Sequence, residues 1–396
     1  MALPLQNVRV LDFSRVLAGP YCSMVLGDLG AEVLKIERPG LGDDTRQWGP
    51  PFAHGESAYY LCCNRNKLSV TLNLKSPRGR ELARELALRS DVLLENFLPG
   101  TLDAWGLGYA ELSALNPRLV YCSITGFGQT GPLRDEPGYD IMIQAKAGVM
   151  SITGEPDGPP MKVGVAISDI TAGLFAANAI LAALFARERT GRGDRIDLAL
   201  FDSTVAWLAN VASNHLVSGE VPTRMGTAHP NIVPYQAFQA SDGALIVAVG
   251  NDAQFQRFCD VIERPDVARD ARFQTNALRV EHRLALVPIL ADRLAQRPAA
   301  FWLERLERSQ IPCGPVNTID RVFEEPQIAA RQMLLEVPHP TIGPLKLVGS
   351  PLKLGAIDTP PAMAPPLLGE QTDRVLHDLL GLTPEQSTSL RQDGII

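Results

Sequence analysis

Residues 163–203 read VGVAISDITAGLFAANAILAALFARERTGRGDRIDLALFDS, and this stretch decides the fold. After Asp169, apolar and small residues recur at helical spacing as far as Phe185, and a charged end at residues 187–189 precedes Gly191. The pattern predicts one long, buried helix that begins near Asp169 and ends in solvent. The apolar run at residues 195–200 then predicts a β-strand.

Asp169 stands at or just before the first turn of this helix, where free backbone N–H groups favour a carboxylate. One interpretation is that Ser168 or Asp169 is simply the N-cap. The other is that Asp169 is a nucleophile. It lies beside Gly164 and Gly173, on a helix whose small residues let another backbone come close.

The composition is that of an ordinary globular protein. A chain of 396 residues predicts two domains, or one large domain with an insertion. The formal net charge is −7, and the basic residues are scattered without a block. This pattern disfavours nucleic acid as a partner, because nucleic-acid binders concentrate Lys and Arg on one face.

The N-terminal residues MALPLQNVRVLDFS lack a signal-peptide pattern, and the longest apolar run, residues 172–186, is interrupted by Asn178. We therefore expect a cytoplasmic protein with no membrane partner. The six cysteines show no CxxC spacing, and the six histidines show no HxxxH or HExxH spacing. These spacings predict reduced thiols and no metal site.

Strands alternate with helices through the first half of the chain. The predicted strands are residues 8–13, 32–36, 68–74, 91–97, 118–125 and 195–200. The helices between them are predicted at residues 18–30, 77–88 and 109–115. This alternation predicts an α/β fold with a mostly parallel, doubly wound (Rossmann-like) sheet, whose ligands bind at the carboxyl ends of the strands.

The character of the chain changes near Arg224. Residues 235–250 read as a hairpin about Ser241-Asp242-Gly243, and helices are predicted at 252–263, 278–297 and 298–308. We predict a large α/β domain at residues 1–223 and an inserted smaller α+β domain at 224–323. A return segment at 324–396 completes the large domain. It carries a strand pair near 342–354, a proline-rich connector at 359–366 and a helix at 370–380.

A glycine motif, GFGQTG at residues 126–131, is a literal GxGxxG after a strand. Such a motif indicates a dinucleotide site only when it opens a helix, and the following residues, which include Pro132 and Pro137, cannot do so. Two interpretations remain: backbone N–H groups that bind an anion or a thioester oxygen, or an ordinary tight turn.

Basic and aromatic residues gather near the strand ends of the first domain. The basic ones are Arg15, Arg38, Arg46, Arg65, Lys67 and Lys75. They suit a phosphorylated or carboxylated ligand, and Arg38 and Lys75 directly follow strands. The loop aromatics Trp48, Tyr59 and Tyr139 either contact this ligand or pack over the loops.

Together with Asp169, six segments carry a resemblance to a known family. They are RVLAGP (15–20), KIERPG (35–40), ENFLPG (95–100), SITGFGQTGP (123–132), GYD (138–140) and PPLLGE (365–370). The chain resembles the class III CoA-transferases, in order and at similar spacing, from Val8 to about Gly369. The resemblance implies a large α/β domain built from both chain ends, a small inserted domain, and a homodimer whose two subunits interlock like links of a chain.

The resemblance also implies roles for individual residues. Asp169 looks like the nucleophile that accepts the acyl group of a CoA thioester, which is a substrate rather than a permanently bound cofactor. The positions that resemble CoA-binding residues are Val16, Arg38, Leu72, Lys75, Asn96 and Phe97. Trp48, Tyr59 and Tyr139 resemble residues that wall the acyl pocket.

Within the family, residues 64–67, 224–229, 233–238 and 365–370 most resemble a branch that moves CoA from succinyl-CoA to a dicarboxylate such as glutarate. A dicarboxylate needs a cation for its far carboxylate. We expect Arg65, Arg224 or His229 to supply it.

Departures from the family pattern leave alternatives open. Formyl-CoA transferases carry a glutamine in place of Leu17 and an arginine in place of Ala104, which argues against oxalate and formyl groups. The related 2-methylacyl-CoA racemases carry a histidine in place of Tyr139, and a tyrosine cannot serve as their base near neutral pH. The alternatives are another donor and acceptor pair, a racemase, an NAD-dependent dehydrogenase, or a non-catalytic acyl-CoA-binding protein.

Overall fold

The computed structural model describes residues 3–355 and 362–396, which divide into two compact units. The large unit takes in the described residues up to Val149, Lys162–Leu216, and those from Ala329 onward. The small unit comprises Met150–Met161 and Val217–Ile328. The predicted small domain, 224–323, lies within the second of these segments, whereas Met150–Met161 was not foreseen. The predicted connector at 359–366 lies partly outside the described residues.

Most strands of the described chain are short. In chain order they are β1 (Arg9–Asp12), β2 (Glu32–Glu37), β3 (Phe52–Ala53), β4 (Glu56–Ser57), β5 (Lys67–Thr71), β6 (Val92–Glu95), β7 (Val120–Thr125), β8 (Arg195–Ala199), β9 (Tyr235–Gln239), β10 (Ala244–Ala248), β11 (Cys313–Pro315), β12 (Leu334–His339) and β13 (Gly343–Val348).

The helices fill the spaces between strands. They are α1 (Ala18–Asp28), α2 (Ala58–Leu61), α3 (Pro77–Leu88), α4 (Thr101–Ala104), α5 (Tyr109–Leu115), α6 (Asp140–Lys146), α7 (Val149–Ile152), α8 (Ile167–Thr190), α9 (Leu200–Trp207), α10 (Ala209–Ser218), α11 (Asp252–Val261), α12 (Pro265–Arg269), α13 (Asn276–Glu281), α14 (Arg283–Leu294), α15 (Ala299–Arg308), α16 (Ile319–Glu324), α17 (Pro326–Ala330), α18 (Thr372–Leu380) and α19 (Pro384–Gln392).

The large unit is built on a six-stranded sheet with the order β5-β2-β1-β6-β7-β8, in which every pairing is parallel. Numbered along the chain, these strands give the order 3-2-1-4-5-6, which is that of doubly wound dinucleotide-binding folds. The predicted parallel α/β sheet is confirmed. In such a sheet, the crevice lies where the strand order reverses, here between the carboxyl ends of β1 and β6.

Both faces of the sheet are buried, because successive side chains of a strand point to opposite sides. Leu11 and Leu93 belong to one hydrophobic core, and Val10 and Val92 belong to the other. The first core also contains Leu376 of α18 and Leu390 of α19. The end of the chain therefore completes the large unit.

Helix α8 lies in the second core. Its buried residues, which include Ala172, Ala176 and Ile180, pack in that core with residues of α1 and the sheet. By length and composition alone, α8 is apolar enough to cross a membrane, but only 39% of its most apolar window is buried inside the unit. The predicted long helix is confirmed, but the prediction that it is buried is only partly right, because it also carries apolar side chains such as Phe175 and Phe185 on an outer face.

The N-terminus of α8 is capped from another helix. Its N-cap position is Ala166, and Asp169 lies inside the first turn. The Ser168 N–H donates to Oδ1 of Asp140 (2.9 Å), at the start of α6. The interpretation of Ser168 or Asp169 as the N-cap is therefore wrong, because a side chain 28 residues away already serves that role.

Three other expectations differ from the structure. The strand pair consists of β12 and β13. It begins before the predicted region 342–354, which covers only β13. The helix predicted at 278–297 is broken at His282, which separates α13 from α14. Helices α6 and α19 were not foreseen. Both are short, and Pro384 is the first residue of α19.

The small unit has its own core. Strands β9 and β10 form the antiparallel hairpin that the sequence predicted, and β11 pairs with β10. Large side chains such as Trp302, Phe255 and Phe258 fill the space between this sheet and the helices. The small unit thus contains a three-stranded antiparallel sheet and helices that pack in one core.

Gly173 sets the distance between α8 and α1. A Cβ atom at this position would lie 2.5 Å from the backbone oxygen of Ala18. Real Cβ contacts are essentially never that short, so the two helices approach as closely as they do only because residue 173 is glycine. The sequence had indicated such an approach, and the structure identifies α1 as the partner.

Replacement of Gly173 by alanine should therefore destabilise the large unit. Overpacking of this kind costs about 1–3 kcal/mol, and the better helix propensity of alanine returns at most about 1 kcal/mol. Urea unfolding measures the difference. Gly164→Ala is the matched control, since its added Cβ would meet no atom within 4 Å. A Gly173→Ala protein as stable as the Gly164→Ala protein would contradict the argument.

Candidate active site

A cavity of about 750 Å³ opens at the carboxyl ends of the central strands. We call it the first cavity. It is lined by Arg15, Val16, Leu17, Ala18, Asp44, Gln47, Trp48, Asn96, Phe97, Leu98, Pro99, Thr101, Ile124, Thr125, Gly126, Glu136, Pro137, Gly138, Tyr139, Asp140, Asp169 and Leu200. Five of the residues predicted for the site besides Asp169 are thus brought together at the point where the strand order reverses.

The Asp169 carboxylate is partly buried in this cavity, and no described residue forms a hydrogen bond with it. Burial, and then the nearby charge of Asp140, raise the pKa of Asp169 to about 7. Its position in the first turn of α8 favours the ionised form, but the loss of water and the second carboxylate outweigh that effect. A carboxylate so destabilised is a stronger base and nucleophile than one in water.

The position of Asp140 near Asp169 depends on a close backbone contact between two glycines. A Cβ on Gly126 would lie 2.6 Å from Cα of Gly138, and a Cβ on Gly138 would lie 2.2 Å from Cα of Gly126. This contact joins the loop after β7 to the start of α6. Gln144 of the same helix donates to Oδ2 of Asp140 (2.7 Å) and accepts the Val163 N–H (2.9 Å). Helix α6 therefore holds the segment that leads into α8.

The loop after β1 has a strained backbone. Val16 has a φ of +70°, which is rare for a β-branched residue. Asn96 holds the loop on one side, because it accepts the Arg15 N–H (2.9 Å) and donates to the Arg15 carbonyl (2.7 Å). Asp43 accepts the Val16 N–H on the other side (3.2 Å). Strain that the surroundings enforce in this way is common at binding sites.

A second cavity, of about 720 Å³, lies next to the first, and four basic residues line it. Its lining residues are Phe13, Arg15, Lys35, Ile36, Glu37, Arg38, Pro39, Gly42, Asp43, Leu72, Asn73, Leu74, Lys75, Phe97, Trp105 and Gly394. The predicted CoA-binding residues Arg38, Leu72 and Lys75 all line it. Arg15 and Phe97 line both cavities, so the two are neighbours across these side chains.

The three predicted aromatic residues lie around Asp169. Trp48 and Tyr139 line the first cavity. Tyr59 packs edge to face on Trp48, with ring centroids 5.2 Å apart. Burial, and then the charge of Asp169, raise the pKa of Tyr59 to about 12. Tyr59 is therefore close enough to Asp169 to sense its charge, whereas the Tyr139 ring is largely exposed.

The predicted cation Arg65 is occupied elsewhere. Its guanidinium donates to both carboxylate oxygens of Asp28, at 2.8 and 2.6 Å, and to the Val348 carbonyl (3.0 Å). Both partners of the ion pair are buried. Arg65 does not line either cavity. The pair ties α1 to the start of β5 and to β13, which is a structural role.

Arg224 and His229 belong to the small unit. The Arg224 Nε donates to the Glu155 carbonyl (3.2 Å). The His229 ring lies 5.3 Å from the ring of Tyr235, and its Nδ1 accepts the Asn231 N–H. Their role toward a substrate stays a prediction.

The glycine motif does not open a helix, as its following residues indicated. The next helix after β7 is α6, which begins at Asp140. The Gly128 N–H donates to Oγ1 of Thr125, and the Gln129 N–H donates to the Asp197 carboxylate. These two N–H groups therefore stabilise the loop itself. The dinucleotide geometry of a GxGxxG turn is not present.

Sequence reasoning did not select several polar residues that line the first cavity. They are Asp44, Gln47, Glu136 and Asp140. Asp140 stood inside the recognised GYD motif, and Arg15 had been named among the basic residues, but nothing in the sequence says that either lines a cavity with Asp169. No group of three or more His, Cys, Asp or Glu side chains within residues 3–355 and 362–396 is arranged to hold a metal ion.

The raised pKa of Asp169 has a consequence for stability that can be measured. A folded-state pKa of about 7, against a usual value of 3.8, means that the folded state binds this proton more tightly than the unfolded state. The ionised side chain therefore weakens the fold above pH 4, and the loss grows until pH 7. Asp169→Asn should be more stable than the parent at pH 8, by at most about 4 kcal/mol.

Chemical unfolding of both proteins at pH 8 and pH 4.5 tests this expectation, and the gain should shrink at the lower pH. Asp140→Asn is the control, since it removes an acid that holds two hydrogen bonds and should lower stability. An Asp169→Asn protein that is less stable than the parent at pH 8, or a gain in stability that does not change with pH, would contradict the raised pKa of Asp169.

Comparisons with known proteins indicate the family of the chain. A family model for CoA-transferase family III matches residues 5–372. The succinyl-CoA:glutarate CoA-transferase of Mus musculus is 46% identical over 393 residues, which cover 99% of this chain and 90% of that protein. The succinate–glutarate CoA-transferase of Agrobacterium fabrum is 44% identical over 382 residues, with coverage of 95% and 96%.

A solved structure shares the architecture. The crystal structure of a CAIB/BAIF family protein from Brucella suis covers 96% of this chain and 100% of its own, with 44% sequence identity and a TM-score of 0.85. The match of the family model over most of the chain agrees with the motifs at the strand ends and with the sheet order. The chain therefore belongs to CoA-transferase family III.

Proposed function

We propose that this enzyme moves CoA from succinyl-CoA, or a similar short acyl-CoA, to a dicarboxylate such as glutarate, through a covalent intermediate on Asp169. The observation that carries the proposal is the position of a destabilised carboxylate in the first cavity, next to a second cavity lined by cations. The substrates named for the relatives from mouse and Agrobacterium support the choice of succinyl-CoA and glutarate.

The two cavities suit the two ends of an acyl-CoA. In the second cavity, Arg38 and Lys75 can neutralise phosphate groups, and Leu72 offers an apolar wall. The pantetheine arm would then pass Phe97 and Val16 to bring its thioester to Asp169. The backbone groups of this loop are fixed by Asn96 and Asp43, so little ordering would be required when the arm binds.

The chemistry follows from an ionised carboxylate at the thioester. An Asp169 oxygen attacks the thioester carbonyl, the C–S bond breaks, and CoA thiolate leaves as an acyl–aspartyl anhydride forms. The thiolate then attacks the aspartyl carbonyl, which releases the donor acid and leaves an aspartyl–CoA thioester. The acceptor carboxylate attacks this thioester, and the returning thiolate takes the acceptor acyl group from the second anhydride. No atom changes its oxidation state.

Trp48, Tyr59 and Tyr139 would wall the acyl group during these steps. The Trp48 and Tyr59 rings support each other, so the wall is rigid on that side. An anhydride is easily hydrolysed, and apolar rings that keep water away would protect it.

We also propose that the enzyme is a homodimer of the interlocked type. The apolar outer face of the large unit supports this proposal. Phe175 and Phe185 of α8 are 43% and 68% exposed, and Trp207 of α9 is 44% exposed. Helix α10 has no buried residue along its length. Large exposed apolar side chains on α8 and α9, beside a helix with no fully buried residue, call for a covering partner. A location in the cytoplasm stays a prediction.

The covalent intermediate can be trapped. When the protein is mixed with succinyl-CoA and hydroxylamine, we expect a hydroxamate on Asp169, because an anhydride or aspartyl thioester reacts with the amine. Intact-mass and peptide mass spectrometry locate the modification. Asp169→Ala should carry none. If the parent shows no modification while free CoA still binds, the non-catalytic or racemase alternatives take the place of the transferase proposal.

The dimer proposal predicts a mass of two 42.9 kDa chains in solution. Phe185→Asp should shift the enzyme toward single chains, because it places a charge in the proposed contact. Light scattering coupled to size exclusion measures both masses. Leu284→Asp is the control, since Leu284 is 88% exposed on α14 of the small unit. A parent protein that elutes as a single chain would contradict the proposal.

A further inference from the structure

We propose that Arg15 is the specificity-determining residue that binds the far carboxylate of the dicarboxylate acceptor. This inference rests on the proposed function and deepens it, because it names a residue that would distinguish dicarboxylates from monocarboxylates. It replaces the cation expected at Arg65, whose guanidinium is held by Asp28.

The first cavity is strongly acidic around Asp169. Asp44, Glu136 and Asp140 line it together with the nucleophile, and Arg15 is the only basic residue among the described residues that do so. A dicarboxylate that enters this space brings two negative charges. The carboxylate that does not react needs a cation to offset the repulsion, and arginine offers two parallel N–H donors that fit a carboxylate.

The backbone of Arg15 is fixed, so its side chain starts from a defined point on the wall. Asn96 binds both the N–H and the carbonyl of residue 15. The guanidinium lies 5.4 Å from the centre of the Phe97 ring, and Phe97 borders both cavities. The guanidinium is therefore held where the two cavities meet, and its aliphatic arm has a limited range.

The present partner of Arg15 can be exchanged. Its Nη1 donates to Oδ2 of Asp44 (3.0 Å), and Asp44 also pairs with Nη2 of Arg38 (3.5 Å). The side chains of Arg15 and Arg38 are 45% and 50% exposed. An exposed ion pair of this kind is weak. When a substrate carboxylate takes the Arg15 guanidinium, Asp44 keeps its contact with Arg38, so the exchange does not leave Asp44 without a neighbouring cation.

Three other cations of the large unit are committed to protein partners, whereas Arg38 and Lys75 line only the second cavity. Lys35 is buried against Asp43 (2.9 Å) and the Ser14 carbonyl. Lys67 is buried and donates to the Pro20 carbonyl and to Asn64. Arg46 is held by Glu37 on two sides. Arg15 thus combines exposure, a position at the cavity wall and a replaceable partner.

The test compares two arginines that share Asp44. In Arg15→Gln, the KM for glutarate should rise by about 10–100-fold, the range expected when a charge-assisted hydrogen-bond pair is lost. The Kd of free CoA, measured by calorimetry, should change by less than about 3-fold. Arg38→Gln should do the reverse, with weaker CoA binding and little change in the glutarate KM. Arg15→Lys keeps the charge and should recover part of the loss.

Three results would overturn the inference: an Arg15→Gln enzyme that loses CoA affinity as Arg38→Gln does, an unchanged glutarate KM, or a selective rise in that KM in Arg224→Ala instead. Thermal unfolding of each variant checks the fold. The proposed function is tested by the CoA-transfer activity of the parent enzyme alone. If the parent does not transfer CoA to glutarate, the function and this inference both fail, whereas a working parent with the wrong variant pattern removes only the role of Arg15.

Discussion

The hydrogen bond from the Ser168 N–H to the Asp140 carboxylate fixes the start of α8, and the geometry of the site depends on it. One residue later in the helix stands Asp169. The same Asp140 charge also raises the pKa of Asp169, so a single side chain both places the proposed nucleophile and makes it more basic. Asp140 is in turn held by the contact of Gly126 with Gly138 and by Gln144. Each of these groups acts from a different element, and only the closed fold brings them together.

The strand ends beneath the cavities form a buried ionic platform. Burial disfavours the charge of Lys35, but the carboxylates of Asp43, Asp12 and Glu37 outweigh burial and raise its pKa. Burial also acts against the ionised Asp43, yet Lys35 and the Thr45 hydrogen bonds hold its pKa at about 2. Buried ion pairs add little net stability, because desolvation consumes most of the attraction. Their effect here is positional: Asp43 also accepts the Val16 N–H, so the platform fixes the strained loop of the site.

Much of the fold could be predicted from local sequence patterns. Short apolar runs that alternate with helical patterns gave the parallel sheet, and α3 and α5 matched their predicted bounds because Pro77 and the flanking turns mark their ends. The small residues of α8 indicated a close neighbour, and Gly173 confirms one. Contacts between side chains far apart in the sequence could not be predicted from such local patterns. Whether an arginine such as Arg65 faces a substrate or the Asp28 of another helix depends on tertiary contacts, and residue type alone carries no such information.

The same limit explains why Asp140 was passed over and why Arg15 was named only as one of six basic residues. Both lie in recognisable motifs, but their importance comes from which charges surround them in three dimensions. The sequence could place Asp169 at a helix start and near the strand ends. It could not show that α6, a short helix with a weak pattern, brings a second carboxylate to it. The strand pair β12–β13 was displaced for a related reason, since Pro338 within β12 weakens the strand pattern there.

The free-energy cost of keeping Asp169 ionised would favour the covalent intermediates of the proposed cycle. Burial and Asp140 disfavour the carboxylate relative to its neutral form, and a shift from 3.8 to about 7 corresponds to at most about 4 kcal/mol. The acyl–aspartyl anhydride and the aspartyl–CoA thioester are both neutral at this oxygen. Formation of the anhydride moves this charge to the CoA thiolate, and formation of the thioester moves it to the released donor carboxylate. The penalty on the Asp169 carboxylate itself is therefore released as each covalent bond forms. An anhydride is an unstable species in water, and this release would help to keep it populated long enough for the thiolate to return. The feature that makes Asp169 unfavourable in the resting fold is therefore the one that would favour its acylated states.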